Sequence, residues 1–365
     1  MRILFSSRPA YGHVFPMLPL AAAARAAGHG VTFGTGADFV PRLRELGFPT
    51  HQVGISVAEA EASATKAHDN QLDVLFAMFG DILPRRTLAD LTPVIAEHRP
   101  DLVIYEQSDV GALTAARRAG VPVISHVIGR SLPESVRELA NDRLAWLWDG
   151  HVPAEPMFGD ATLDIWPPSV ADPNTLRVPT RIPLRPVAWD VPGALPELRK
   201  PLVYLTLGTV AFGKTTVLRA AIDGLATLPV QVLVALGPGD PAELGSVPDN
   251  VRVYGFVPQA RVLPQADLVV HHGGTGTVLG ALAAGLPQLV LPQGADQFVN
   301  AELLSAQGVG HALTDITAAA VAEHAGQLLA DPTYREAAGR VAKEIAAMPA
   351  PSDVLPTLVE FAGHN

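Results

Sequence analysis

Three clusters in this 365-residue chain combine residue types that handle protons, anions or hydroxyl groups. His271-His272-Gly273-Gly274-Thr275-Gly276-Thr277 stands where an apolar run ends and a helix-like run begins. Glycines let a backbone approach a ligand closely, a helix N-terminus offers unpaired N–H groups and a positive dipole end, and the threonines add hydroxyls. The run therefore reads as an anion cradle; the alternative is a strand-to-helix turn whose histidines are satisfied internally. About twenty residues on, Gln293-Gly294-Ala295-Asp296-Gln297 places a carboxylate and a carboxamide after another apolar strand. That pair suits a polyhydroxylated ligand, whose hydroxyls both donate and accept, although an Asp is also an ordinary helix cap. Near the start, Gly12-His13 follows the first strand and precedes a proline-bounded helix. A histidine there is a candidate for taking a proton near neutral pH, or simply a helix-entry surface residue.

A fourth stretch, Gly208-Thr209-Val210-Ala211-Phe212-Gly213-Lys214-Thr215, fits the phosphate-binding pattern G-x-x-x-x-G-K-[ST]. An NTPase also needs an Asp ending a neighbouring strand to hold Mg²⁺. The later strands end instead in Leu236-Gly237, Tyr254-Gly255, His271-His272 and Pro292-Gln293, so only a phosphate-touching turn is retained from the match. The chain has no Asp-x-Asp pair, no H-E-x-x-H and no G-x-G-x-x-G, and with no cysteine it has no disulfide or thiolate chemistry.

The elements that position these clusters follow from hydrophobic period. Short β-branched runs alternate with helical ones: strands at 2–6, 30–34, 102–105 and 121–127, helices at 16–27, 38–46 and 111–119. After a gap the rhythm restarts with strands at 202–207, 230–236, 251–254, 268–271 and 288–292 and helices at 215–226 and 277–284. Residues 318–347 read as two Ala-rich helices and 354–361 as a terminal one. Repeated strand, helix, strand units imply parallel sheets covered on both faces. Eleven prolines crowd residues 152–201, a density taken as incompatible with helix or central strand and so assigned to an interdomain segment. The expected division is an N-terminal domain over 1–190, the proline-rich segment 153–201 overlapping its end, and a C-terminal domain over 201–347. Residues 348–365 are expected to form a helix packing back on the first domain.

Composition narrows the function classes. With 48% hydrophobic and 17% charged residues the chain is globular, and 365 residues suffice for two to three domains. A net charge of −10 repels nucleic-acid phosphates and anionic lipid headgroups, so neither is an expected partner. No apolar stretch approaches the roughly 20 residues of a membrane helix, and Met1-Arg2 runs straight into a strand without a signal-peptide pattern. A cytoplasmic protein is expected.

Together the motifs resemble those of family 1 glycosyltransferases with the two-domain GT-B fold, in the bacterial group that decorates natural products with deoxysugars. The resemblance rests on Tyr11-Gly12-His13-Val14-Phe15-Pro16, Leu205-Thr206-Leu207-Gly208-Thr209, Gly255-Phe256-Val257-Pro258-Gln259, the run 271–277, and Asp296-Gln297-Phe298-Val299-Asn300-Ala301. It implies two Rossmann-like, doubly wound parallel-sheet domains facing a cleft, with the acceptor on the first and a nucleotide sugar on the second. It further implies that His13 is the general base of an inverting transfer and that Glu106, where many relatives have Asp, or else Asp109, orients it.

On the donor side the resemblance implies that Phe256 stacks on the base and Val257 and Gln259 lie at the nucleotide. His271 or His272, with Gly274, Thr275, Gly276, Thr277 and Thr209, holds the diphosphate, and Asp296 and Gln297 address the sugar. Leu279 stands where UDP-sugar members carry a ribose-binding Glu, which favours a dTDP-sugar. For the acceptor, Phe76, Phe79 and Trp146 are candidates for an aromatic-friendly wall, with core packing as their alternative role. No cofactor or metal is expected, and the expected partners are a small hydrophobic aglycone, a nucleotide sugar and, for quaternary state, either none or one further copy. The alternatives are a UDP-sugar-dependent enzyme of the same fold and a non-catalytic sugar-nucleotide-binding relative.

Overall fold

The computed structural model describes residues 1–131, 140–148, 157–208, 215–237 and 239–364. Two compact units emerge: Met1–Ile165 with Asp172–Leu184 and Pro349–Asn365, and Trp166–Ala171 with Arg185–Met348.

In the first unit seven strands form one sheet: β1 (Arg2–Ser6), β2 (Gly30–Thr35), β3 (Thr50–Gln52), β4 (Leu102–Glu106), β5 (Val123–His126), β6 (Ala161–Asp164) and β7 (Arg181–Pro183). All pairs are parallel, in the order β3-β2-β1-β4-β5-β6-β7. The second unit repeats the plan with β8 (Leu202–Thr206), β9 (Gln231–Ala235), β10 (Val251–Tyr254), β11 (Leu268–His271), β12 (Gln288–Val290) and β13 (Gly310–Ala312), ordered β10-β9-β8-β11-β12-β13. Each sheet is thus a doubly wound Rossmann-like sheet whose strand order reverses direction beside its first strand, between β1 and β4 and between β8 and β11.

Strand side chains alternate between faces, and here both faces are buried. Val203, Leu205, Val232, Val234, Leu268 and Val270 enter one core of the second unit. Their neighbours Leu202, Tyr204, Leu233 and Val269 enter the core on the other side. That two-sided burial is why the strands read as continuous apolar runs. Among the described residues no helix is long and apolar enough to cross a membrane.

The proline-rich stretch departs from expectation. β6 lies within it and is hydrogen-bonded to a neighbour on each side. Proline removes one N–H at its own position only, and residues 157–166, between Pro156 and Pro167, carry none, so a strand fits among punctuating prolines. β7, which ends in Pro183, is the sheet's edge, where a missing donor is tolerated. Two short strands, β3 and β13, were too brief for period to reveal.

The β12–β13 pair sets a tight steric limit. A Cβ on Gly310 would stand 1.8 Å from the Gln288 carbonyl oxygen, a backbone atom that cannot rotate away. Gly310→Ala is expected to lower the unfolding free energy of the second unit by about 1–3 kcal/mol, read from urea denaturation; an unchanged midpoint would contradict this packing.

Candidate active site

The clusters read from sequence follow the carboxyl ends of β1, β8, β11 and β12; β1, β8 and β11 are strands at the two switch points, and β12 is the next neighbour of β11. In the first unit, the chain leaves β1 through Ser6-Ser7-Arg8 and enters a one-turn helix, Tyr11–Val14, then a 3₁₀ turn, Phe15–Met17, and the helix Leu18–Ala26. Pro16 and Pro19 sit in the first turns of their elements, where a missing N–H costs nothing. Buried Val14 anchors the turn, and the Tyr11 ring meets Phe15 and Phe39 edge-on at 5.1 and 5.0 Å.

This aims His13 at the end of β4, where its Nδ1 lies 3.0 Å from Glu106 Oε1. An anionic carboxylate only accepts, so Nδ1 carries the hydrogen, and in the neutral ring Nε2 is the nitrogen with the lone pair. The His13 side chain is 25% exposed and that of Glu106 is fully buried. Ser108 donates its backbone N–H to Glu106 Oε2 at 2.8 Å, and its hydroxyl lies within 2.8 Å of both carboxylate oxygens. Burial pushes the Glu106 carboxyl toward its neutral form, but the charges of His13 and Arg8 and the hydrogen bonds from His13 and Ser108 outweigh it, holding it down at about 2.

Asp109 is arranged differently. It stands at the N-cap of the helix Val110–Arg118 without capping it, and its Oδ2 accepts from Ser6 Oγ at 2.7 Å. Burial first, then repulsion from Glu106, raise it to about 6 despite Arg8. The two acids named from sequence therefore part company: Glu106 contacts His13, while Asp109 ties β1 to the helix after β4. Arg8, which the sequence reading passed over, is a buried cation beside both. Its only sequence signal was a basic residue two positions after the first strand.

In the second unit, the two histidines ending β11 point to different fates. Nε2 of His271 bonds Gln288 Oε1 at 2.8 Å, and its Nδ1 accepts the Gly273 N–H at 3.0 Å. Burial, with the neighbouring His272, holds this ring neutral, at about 3. With both nitrogens committed and no exposure, His271 is a strand-to-strand tie, which corrects its expected diphosphate role. His272 is half-buried at the switch point, between two glycines. A Cβ on Gly208, which has φ 82°, would come within 2.6 Å of its ring, and one on Gly274 within 2.4 Å. Both glycines are therefore required by the imidazole that lies against them.

Gly274 is the N-cap of the helix Thr275–Ala283 and offers no side chain to its amides. The Thr277 N–H returns to the Gly274 carbonyl, so Thr275 and Gly276 supply the first-turn amides. Thr275 and Thr277 are buried, and Thr275 Oγ1 donates to Asp296 Oδ2 at 3.0 Å. Asp296 precedes the helix Gln297–Ala306 without capping it, and Asn300 of that helix donates to the Gly273 carbonyl at 2.9 Å. Gln297 turns inward, its Oε1 accepting from the N–H groups of Gln293 and Gly294 at 2.8 and 3.2 Å. Phe256 is 47% exposed and Val257 half-buried. Gln259 bonds Tyr204 Oη at 3.3 Å, and Leu279 is buried. Thr209 lies outside the described residues.

The acceptor candidates also divide. Phe76 is buried, and the helix Gln71–Ala77 instead exposes Leu72 and Leu75, so Phe76 is corrected to a core residue. Phe79, on a π-helical turn at Met78–Ile82, lies with its ring 4.6 Å from the Arg8 guanidinium carbon. Trp146 donates to the Gly80 carbonyl at 2.8 Å and stacks under Arg85 at 3.8 Å.

Comparison with known proteins follows the same lines. Residues 219–361 match the family described as erythromycin biosynthesis protein CIII-like, C-terminal domain. The chain is 33% identical to the elloramycin glycosyltransferase of Streptomyces olivaceus, over 97% of this chain and 96% of that protein. Among solved structures, glycosyltransferase SnogD from Streptomyces nogalater superposes with a TM-score of 0.81 at 30% identity, covering 99% of each chain. Glycosyltransferase VinC in complex with dTDP gives a TM-score of 0.81 at 26% identity, covering 100% of each.

The buried acids generate a stability prediction. Asp109 titrates near 3.8 when unfolded and about 6 when folded, so its favourable contribution is full below pH 3.8 and lost as pH rises through 6. Asp109→Asn removes that loss and should gain stability relative to wild type between pH 4 and 7, measured by chemical denaturation across that range. A pH-independent difference would show that Asp109 is not strained by its ionisation.

Proposed function

Because the chain belongs to the family 1 glycosyltransferases of the GT-B fold, in the group that serves antibiotic biosynthesis, we propose that it transfers a sugar, with inversion, from a dTDP-sugar to a hydroxyl of a small hydrophobic aglycone. The observation that supports this most directly is the 3.0 Å bond between His13 and the buried Glu106. His13 Nε2 takes the proton of the acceptor hydroxyl. The oxygen forms its bond to C1 of the sugar as the C1–O bond to the diphosphate breaks, and that electron pair leaves on the phosphate oxygen. Glu106 stays ionised and balances the imidazolium, the role of the acid in a base dyad.

On the donor, the amides of Thr275 and Gly276 and the dipole of their helix meet the diphosphate, with His272 beside them. Fixed donors of this kind stabilise charge developing on a leaving group without a metal ion. Thr275 acts through its hydroxyl on Asp296, orienting that carboxylate toward the sugar hydroxyls. Gln297 addresses the same hydroxyls through its amide N–H groups, its oxygen being engaged by its own loop. The exposed Phe256 ring suits stacking on the base. A buried leucine at 279 gives a ribose 2′-hydroxyl no partner, which favours dTDP over UDP, and VinC, a relative by fold, was solved with dTDP.

Incubation with dTDP- and UDP-sugars and aromatic or polyketide acceptors, with products identified by mass, tests the reading. His13→Ala should lower kcat/KM by about 10²–10⁴ with the fold retained, and EDTA should leave the rate intact. Full transfer by His13→Ala would remove the proposed base. Higher kcat/KM with UDP-glucose than with any dTDP-sugar would remove the donor assignment.

A further inference from the structure

Arg8 is a buried cation in an awkward setting. It is 4% exposed, its Nη2 donates to the Ser108 carbonyl, and its Nε lies 3.8 Å from Glu106 Oε1 without a hydrogen bond. Among the described residues neither Nε nor Nη1 has a hydrogen-bond partner. A buried arginine is normally kept by paired, bidentate contacts; this one forgoes them and approaches the same carboxylate oxygen that bonds His13.

A general base must be neutral when the substrate arrives. A buried carboxylate beside an imidazole favours the protonated ring and so tends to fill the base before it can act. We infer that Arg8 is a positioning residue for the base: its permanent charge, held against Glu106 Oε1, offsets the carboxylate's pull and keeps His13 oriented yet unprotonated until the acceptor hydroxyl delivers its proton. This rests on His13 being the base in the proposed function.

The surrounding groups support an electrostatic role. From the segment after β4, Asp109 adds a second negative charge once ionised, which without Arg8 would be uncompensated next to Glu106. At the end of β5, buried His126 bonds the Val127 carbonyl at 2.8 Å through Nδ1 and is held neutral by burial, so it supplies no counter-charge. From the helix Val40–Glu45, Arg42 donates to Tyr11 Oη at 3.0 Å and lies over the Tyr11 and Phe15 rings. From the helix Leu83–His98, Thr87 adds only a neutral hydrogen bond to Asp109, and the Phe79 ring beside Arg8 is uncharged.

The test compares wild type, Arg8→Lys, Arg8→Met and Arg8→Gln. Two quantities are read: the acid limb of kcat/KM against pH, and the imidazole titration of His13 by NMR in carbon-labelled free protein, assigned with His13→Ala. Arg8→Lys keeps the charge and should keep both midpoints. The Met and Gln variants should move both upward by about one pH unit and recover activity at high pH. Folded neutral variants with unmoved midpoints and a uniform loss of kcat would overturn the inference, leaving Arg8 a scaffold for Ser108 and Phe79. Failure of both neutral variants to fold while the Lys variant folds would overturn it in the same direction. If His13→Ala retains transfer, the base assignment fails instead, and the NMR titration still reports whether Arg8 acts on His13.

Discussion

A parallel sheet whose connections reverse direction beside its first strand leaves the carboxyl ends of two adjacent strands uncovered, because the helices that follow them leave to opposite faces. Both units of this chain have that order, and the features of chemical interest depend on it. In the first unit the uncovered ends bring a turn after β1 against the last residue of β4, so that His13 meets Glu106. In the second they bring Gly208 against His272, at the start of a helix with uncapped amides. The apolar strands beneath hold these ends in register, since both faces of each sheet are buried.

Charge is handled locally, and the net charge of −10 says little about it. In the first unit a fully buried carboxylate is kept ionised by a histidine, an arginine and a serine, while a second acid three residues further on is pushed toward neutrality. In the second unit the positive character comes from backbone amides and a helix dipole, and the one fully buried histidine is held neutral. The charged groups of the first unit and the backbone dipoles of the second are thus different materials, as the proposed proton and anion roles require. The global acidity bears on solubility and on which polyanions are repelled.

Particular residues show how far the sequence could be read. The strands at 2–6, 251–254 and 268–271 were legible to the residue, because a short apolar run between turn residues has few other solutions. β6 was hidden by the prolines around it, and β3 and β13 by their length. His13 was legible from its place after the first strand. His271 was misjudged because a His-His pair gives no hint that Gln288, on the next strand, absorbs the first ring. Phe76 was misjudged because one turn of helical pattern does not say which face meets the core. Arg8 was invisible as anything but a surface charge until burial placed it beside Glu106.

The sequence by itself therefore determined the class of fold and its two α/β rhythms, and it named a candidate anion cradle and a candidate base. These are properties of local pattern, carried by residues within a few positions of one another. Only the tertiary structure decided that His13 pairs with Glu106, 93 residues away, and that Asp109 turns to Ser6 instead. It likewise decided which histidine of the pair is committed to the sheet, that Thr275 serves Asp296, and that a cation lies under the dyad. Each of these is fixed by distances between side chains from strands that meet only across a crossover, and such distances leave no periodic trace in the chain.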